Sequence, residues 1–106
     1  MKIAVAVEAL AALAQESRLS IFRLLVQAGS EGMAAGALGE KLGIPPATLS
    51  FHLKALVHAK LIKSRTAGRF VIYSANFKEM DALIAYLTEN CCAGDAAQCA
   101  PRKPCR

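Results

Sequence analysis

Two consecutive prolines, Pro45 and Pro46, restrict the fold of this chain more than any other feature of its sequence. Proline has no backbone N–H and is tolerated in a helix only in the first turn. Gly43 stands just before the pair, where a glycine commonly ends a preceding helix. The sequence therefore predicts a short helix in AAGALGEKL, a tight turn at Gly43, and a second helix over about residues 46–59.

The predicted helix over 46–59 has two different sides. At helical spacing, four aliphatic residues fall on the inward side: Leu49, Leu53, Leu56 and Val57. The outward side is short, polar or aromatic, and it carries no carboxylate. Its members are Thr48, Phe51, His52, Ala55 and His58, with Ser50 and Lys54 on a flank. An inward leucine stripe is typical of any packed helix, so the outward side is the candidate functional surface.

Other elements are predicted on both sides of this pair of helices. Apolar periodicity predicts one helix over about residues 3–14, another from an N-cap at Ser17 to a stop at Gly29, and a last one from near Lys78 to Asn90. The segment LIKSRTAGRFVIYSA predicts a β-hairpin with strands over 61–66 and 70–75 and a turn at Ala67-Gly68.

The order α-α-α-α-β-β-α is that of a winged helix-turn-helix, a mainly α fold with a β-hairpin wing. At 106 residues, the length suits one domain. We expect this domain over residues 1–90, followed by a cysteine-rich tail over 91–106.

Charge is concentrated in the centre of the chain. The net charge is +5, and residues 41–78 contain seven basic side chains and no acidic one. Such a bias favours a polyanionic partner. Double-stranded DNA suits this fold because a helix fits the major groove, where base edges can be distinguished, and a wing can place arginines against phosphates.

The N-terminal stretch MKIAVAVEALAALAQ has some features of a secretory signal: a Lys, an apolar run and an ALA motif. However, Glu8 interrupts that run, and Ile3, Val7, Leu10 and Ala14 instead form one side of an amphipathic helix. No apolar stretch approaches the ~20 residues that span a membrane. We therefore expect a cytoplasmic protein, in which cysteines stay reduced and are more often ligands or redox groups than disulfides.

Two segments resemble the ArsR/SmtB family of bacterial metal-sensing repressors: SRLSIFRLLVQAG and ALGEKLGIPPATLSFHLKALVHAKLIKSRTAGRFVIYSA. The resemblance covers about residues 10–90, and its most specific parts are the helix TLSFHLKAL, the segment HAKLI and the strand GRFVIY. It implies a homodimeric winged-helix repressor that holds operator DNA when it is ligand-free, with the DNA-binding and dimerisation domain over residues 1–90 and an inducer-binding tail over 91–106. Binding of a metal or metalloid then releases the DNA.

The same resemblance implies which residues contact DNA. The helix over 46–59 becomes the recognition helix and the hairpin becomes the wing. The implied contacts are Thr48, Ser50, His52, Lys54, Arg65 and Arg69. Phe51 stands where many family members have a polar residue, and contact with a thymine methyl and local packing are both open. For His52 and His58, the alternative is a role on the surface or in helix packing.

All four cysteines lie in the last 18 residues: Cys91, Cys92, Cys99 and Cys105. Clustered thiolates select soft ions, and trivalent arsenic takes three thiolates in a pyramid. Cys91, Cys92 and Cys99 supply three, and this tail is similar to that of ArsR-like repressors with a vicinal pair just after the last helix. Cys105 is a further candidate, as a spare, a fourth ligand or a capture thiol. We expect As(III) as inducer, with Sb(III) as an alternative of the same ligand preference.

Other roles for the thiols stay open. Zinc could use all four cysteines, although the spacing lacks the CxxC pairs of structural zinc sites. A redox or persulfide sensor would keep the DNA-binding role, and an incidental role in a disordered tail is the plainest alternative. A thiol or arsenate reductase is disfavoured because no anion-binding loop or acid–base partner lies near the cysteines in sequence. The helix AAGALGEKL lacks the cysteine pair of the best-known arsenic sensors, and the last helix has no histidine for a zinc-sensor site.

Overall fold

A helix-turn-helix and a β-hairpin stand side by side in the computed structural model, which describes residues 1–91. The helices are α1 (Ile3–Leu13), α2 (Glu16–Ala28), α3 (Ala35–Leu42), α4 (Pro46–His58) and α5 (Phe77–Leu87). The strands are β1 (Met33–Ala34), β2 (Ile62–Ala67) and β3 (Phe70–Ala75), and a 3-10 turn covers Gly29–Glu31. The predicted winged helix-turn-helix is confirmed. No helix within residues 1–91 has both the length and the apolar character to cross a membrane.

One of the three strands in the described part of the chain was not predicted. Strand β1 pairs with β3 in antiparallel register, Met33 with Tyr73 and Ala34 with Ile72, and the sheet order is β1-β3-β2. Two residues are too short to show the alternating pattern by which a strand is recognised. The predicted helix in AAGALGEKL accordingly starts one residue later, at Ala35, because Ala34 belongs to the strand.

The turn between α3 and α4 follows the prediction. Gly43 adopts a left-handed conformation with φ of 66°, which glycine reaches without the penalty of a Cβ. Pro45 precedes the helix in an extended conformation and Pro46 is its first residue. Gly39 brings the two helices close together, since a Cβ there would lie 3.2 Å from Cδ2 of Leu49.

The predicted starts of α2 and α5 differ in accuracy. The prediction of Ser17 as the N-cap of α2 was wrong, because Gln15 takes that place: its backbone is extended and its Oε1 accepts a hydrogen bond from the Arg18 N–H at 2.8 Å. Helix α5 starts one residue before the predicted Lys78. Asn76 caps it, with Oδ1 accepting from the N–H of Glu79 at 3.4 Å.

The core lies where α2, α3, α4 and the base of the sheet meet. Its largest fully buried side chains are Ile21, Leu25, Leu38, Leu56 and Leu61. Each such aliphatic side chain contributes about 1.5–3 kcal/mol through burial. Leu49, Leu53 and Leu56 of α4 are buried as predicted. The inward placement of Val57 was wrong, since that side chain is 40% exposed.

The wing is a regular hairpin closed at both ends. Ala67 pairs with Phe70, so the two-residue loop is Gly68-Arg69, one residue after the predicted position. Gly68 has φ of 62°, and glycine at the first central position is the preference of a type II′ hairpin turn. At the base, the Asn76 N–H donates to the Leu61 carbonyl at 2.8 Å, and its Nδ2 donates to the Lys60 carbonyl at 3.0 Å.

Candidate DNA-binding surface

The outer side of α4 presents hydroxyl, aromatic and cationic groups to solvent. Thr48, Ser50, Phe51 and Lys54 are all exposed, as the sequence predicted. Phe51 is 68% exposed, although burial of such a ring is favourable. The helix contains no Asp or Glu among its 13 residues, so nothing on it repels a polyanion.

The placement of His52 on this outer side was wrong. Only 8% of its surface is exposed. At 100° per residue, position 52 lies about 40° around the helix from the buried Leu56, which turns it toward the core. Its Nδ1 is buried and finds no hydrogen-bond partner among the described residues. The ring instead packs against Phe51 in an edge-to-face contact, with centroids 5.9 Å apart and planes at 61°. His52 therefore supports a surface residue rather than offering a DNA contact itself.

The two wing arginines have different environments. Arg69 is exposed in the two-residue loop at the tip. Arg65 lies farther back on β2, opposite Ile72, and its Nη2 donates to the Glu31 carbonyl at 3.0 Å. That bond ties the middle of the wing to the 3-10 turn. Arg69 has the freer approach to an outside partner.

A third cation of the wing was not singled out from the sequence. Lys63 lies two residues before Arg65 and so shares its face of β2. These two cations and three serines line one concavity: Ser30, Lys63, Ser64, Arg65 and Ser74. The i, i+2 spacing of the two cations on a predicted strand was the signal in the sequence. The wing thus adds positive charge along its length and not at its tip alone.

Comparison with known proteins identifies the family. Residues 13–65 match the helix-turn-helix domain family. The chain is 36% identical over 81 residues to the arsenical resistance operon repressor of Bacillus subtilis (strain 168), covering 76% of this chain and 73% of that protein. The chain belongs to the ArsR family of winged helix-turn-helix transcriptional regulators.

Two further comparisons agree with this ArsR-family assignment. The ArsR-like transcriptional regulator from Rhodococcus sp. RHA1 superposes with a TM-score of 0.73 at 28% identity, covering 87% of this chain and 83% of that one. The HTH-type transcriptional regulator YceK of Bacillus subtilis (strain 168) is 43% identical over 58 residues, which are 55% of this chain and 57% of that protein. The chain thus matches little more than half the length of YceK. The fold and the relatives are those of DNA-binding regulators and not of enzymes.

A second surface of this ArsR-family chain is apolar. Helices α1 and α5 pack against each other, and each leaves large apolar side chains exposed. Those of α1 are Ile3, Val7 and Leu10, and those of α5 are Ile84 and Leu87. The predicted apolar sides of both helices are therefore only partly covered within one chain.

The thiol site lies mostly outside the part of the chain that the structure describes. Cys91 is exposed just beyond α5, and its N–H donates to the Thr88 carbonyl at 3.1 Å. Cys92, Cys99 and Cys105 lie outside the described residues. Within residues 1–91, no group of three His, Cys, Asp or Glu side chains is placed to hold a metal ion. The three-thiolate site for the inducer stays a prediction.

Proposed function

We propose that this chain is a cytoplasmic repressor that holds operator DNA as a homodimer and releases it when As(III) binds the thiolates of Cys91, Cys92 and Cys99. Residues 1–90 bind DNA and pair the subunits, and residues 91–106 bind the inducer. The observation that carries the proposal is the exposed, carboxylate-free side of α4 beside a wing that bears three cations.

Three features support the DNA contacts. α4 is long enough to lie in a major groove, with its hydroxyls at Thr48 and Ser50 near the N-terminal end, where recognition helices meet base edges. Lys54 lies one turn farther along and suits a phosphate. Arg69 at the wing tip suits the neighbouring backbone or the minor groove.

Dimerisation is supported by the apolar side chains left exposed on α1 and α5. Contiguous exposed apolar surface of this kind marks a protein interface more often than ordinary surface. Pairing of two copies through these helices places two α4 helices on one side of the dimer. Such an arrangement suits half-sites about 34–36 Å apart, one turn of DNA.

Release by the inducer is supported by where the cysteines begin. Cys91 follows α5 within four residues of its end, and α5 belongs to the proposed dimer interface. Thiolates select As(III), or Sb(III), over hard ions. Cys105 would serve as a fourth or a spare thiol. A relative that is 36% identical is an arsenical resistance operon repressor, which points to the same inducer. Binding of DNA and inducer must oppose each other reciprocally, typically by ~1–3 kcal/mol.

The test begins with duplexes selected from a random library by the reduced protein. Titration with arsenite should release the selected duplex and raise thiol-to-arsenic absorption with the same midpoint. The single variants Cys91→Ser, Cys92→Ser and Cys99→Ser should each abolish release, whereas Cys105→Ser should keep it. Release that persists when Cys91, Cys92 and Cys99 are all replaced by serine refutes the thiol site. Release by peroxide with an inter-cysteine crosslink, and none by arsenite, would instead establish the redox sensor.

A further inference from the structure

Phe51 is an aromatic side chain that the fold does not use. It is 68% exposed on α4, between Ser50 and Lys54, which are also exposed. Burial of such a ring would contribute about 1.5–3 kcal/mol, so leaving it in water forgoes that gain. The proposed dimer covers α1 and α5, and Phe51 belongs to neither. The exposed ring therefore lies outside the proposed subunit interface, on the proposed DNA-facing side of α4.

The position of Phe51 in the helix suits contact with base edges. It is the sixth of the 13 residues of α4, within the N-terminal half, next to the hydroxyl of Ser50. Its ring lines a shallow groove with Lys54, Ala55 and His58. Ala55 is small, so a group as large as a methyl can approach the ring from that side.

His52 restricts how the Phe51 ring can move. The imidazole is buried and meets the ring edge-to-face at 5.9 Å, and such aromatic pairs contribute about 0.5–1.5 kcal/mol beyond their burial. A ring held from behind loses less conformational freedom when it binds than an unsupported one.

The chemistry of the ring limits what it can recognise. Phenylalanine has no hydrogen-bond donor or acceptor, so it cannot use the polar pattern of the major groove. The one apolar group presented there by normal bases is the C5 methyl of thymine. We propose that Phe51 determines operator specificity by packing on the methyl of one thymine in each half-site. This inference rests on the proposed function, because it requires that α4 enters the major groove.

The test compares the wild-type chain with Phe51→Ala on selected DNA. Both proteins select duplexes from the same random library, and Phe70→Ala serves as the matched control because Phe70 is 63% exposed on the wing. Wild type and Phe70→Ala should select thymine at one position per half-site, and Phe51→Ala should lose the preference at that position alone. Replacing that thymine by deoxyuridine in one half-site should weaken wild-type binding about fourfold, the worth of one buried methyl at ~0.8 kcal/mol. The same replacement should leave binding by Phe51→Ala unchanged.

The possible results distinguish failure of the Phe51 proposal from failure of the proposed operator binding. If no sequence is enriched by wild type, the proposed operator binding fails and the inference fails with it. If wild type enriches a motif but Phe51→Ala keeps every preference, the inference alone is overturned. The same holds if the deoxyuridine penalty is equal in both proteins, or if Phe51→Ala changes the sedimentation coefficient, which would place Phe51 in the subunit interface.

Discussion

The Nε2 atom of His58, near the end of α4, lies 3.5 Å from Oε2 of Glu8 on α1. This pair links the proposed recognition helix to a helix of the proposed dimer interface. Both side chains are exposed to solvent, and exposed ion pairs contribute about 0–1 kcal/mol. The contact therefore contributes little to the stability of the fold.

Removing that pair should have a small effect on stability. We expect Glu8→Gln to lower the free energy of unfolding by no more than about 0.5 kcal/mol, because solvent screens the attraction. Urea denaturation, monitored by circular dichroism, measures this change in the free energy of unfolding, with Glu40→Gln on α3 as the control. A loss of 2 kcal/mol or more would show that the pair is far stronger than its exposure allows.

Replacing the buried imidazole should stabilise the protein. His52→Leu fills a similar volume and removes the unpartnered Nδ1, whose burial costs about 1–3 kcal/mol. We expect the free energy of unfolding to rise by about 1 kcal/mol, whereas His58→Leu at an exposed position should give no such gain. A marked loss of stability in His52→Leu would mean that Nδ1 has a partner, such as a bound water.

Two glycines of the connection between α2 and β1 form a matched pair. Gly29 and Gly32 have nearly the same backbone, with φ of 73° and 69° and ψ of −160° and −158°, a region almost restricted to glycine. A Cβ at Gly29 would meet nothing within 4 Å, but at Gly32 it would lie 2.9 Å from the carbonyl carbon of Tyr73 and closer still to its oxygen.

Alanine at these two positions should therefore have different effects. Gly29→Ala should lower the free energy of unfolding by about 1–3 kcal/mol, the cost of the backbone conformation alone. Gly32→Ala adds a steric overlap with β3 and should leave little folded protein. Thermal denaturation of both variants is the measurement, and equal melting temperatures would contradict the close approach of Gly32 to Tyr73.

A charge placed in the apolar surface of α1 should separate the subunits. Val7→Glu puts a carboxylate among Ile3 and Leu10, and a buried unpaired charge is strongly unfavourable. We expect sedimentation as a monomer with an unchanged circular dichroism spectrum. Val71→Glu, at an exposed valine on the wing, should remain dimeric. If the Val7→Glu protein is still a dimer, α1 does not belong to the subunit interface.

The wing tip should contribute charge and no base preference. Arg69→Ala should weaken binding to all duplexes alike and flatten the dependence of log K on log salt by about 0.9 per subunit, or about 1.8 per dimer, through one lost phosphate contact each. Arg69→Lys should restore the slope, because a lysine still neutralises one phosphate. A change in the selected motif with Arg69→Ala would instead indicate base contact by the wing.

The parts of the fold that were predictable have strong local signals. Pro46 has a fixed φ and no N–H, and Gly43 can adopt the left-handed conformation that ends a helix, so the boundary between α3 and α4 followed from them alone. Strand β1 has no such signal, since it exists only because β3 offers it an edge. The N-cap of α2 was misplaced because Gln15 rarely has that role, and its effect depends on one side-chain conformer.

Most of the candidate surface on α4 was predictable from the sequence, and His52 was the exception. Thr48, Ser50, Phe51 and Lys54 were placed correctly because helical periodicity alone sets their directions. His52 lies near the boundary between the two sides of α4, where a rotation of a few tens of degrees decides burial. That rotation depends on how α4 packs against α1, α2 and α3, which periodicity within one helix does not record.

Asn76 follows β3 and bonds to Lys60 and Leu61 just before β2, so the hairpin is anchored at its root and free at its far end. Changes at Arg69 alter what the tip contacts without moving the root, and therefore without moving the helices on either side. Substitution of a few exposed residues at the tip can therefore change the affinity of such a protein for DNA during evolution, while the rest of the fold stays the same.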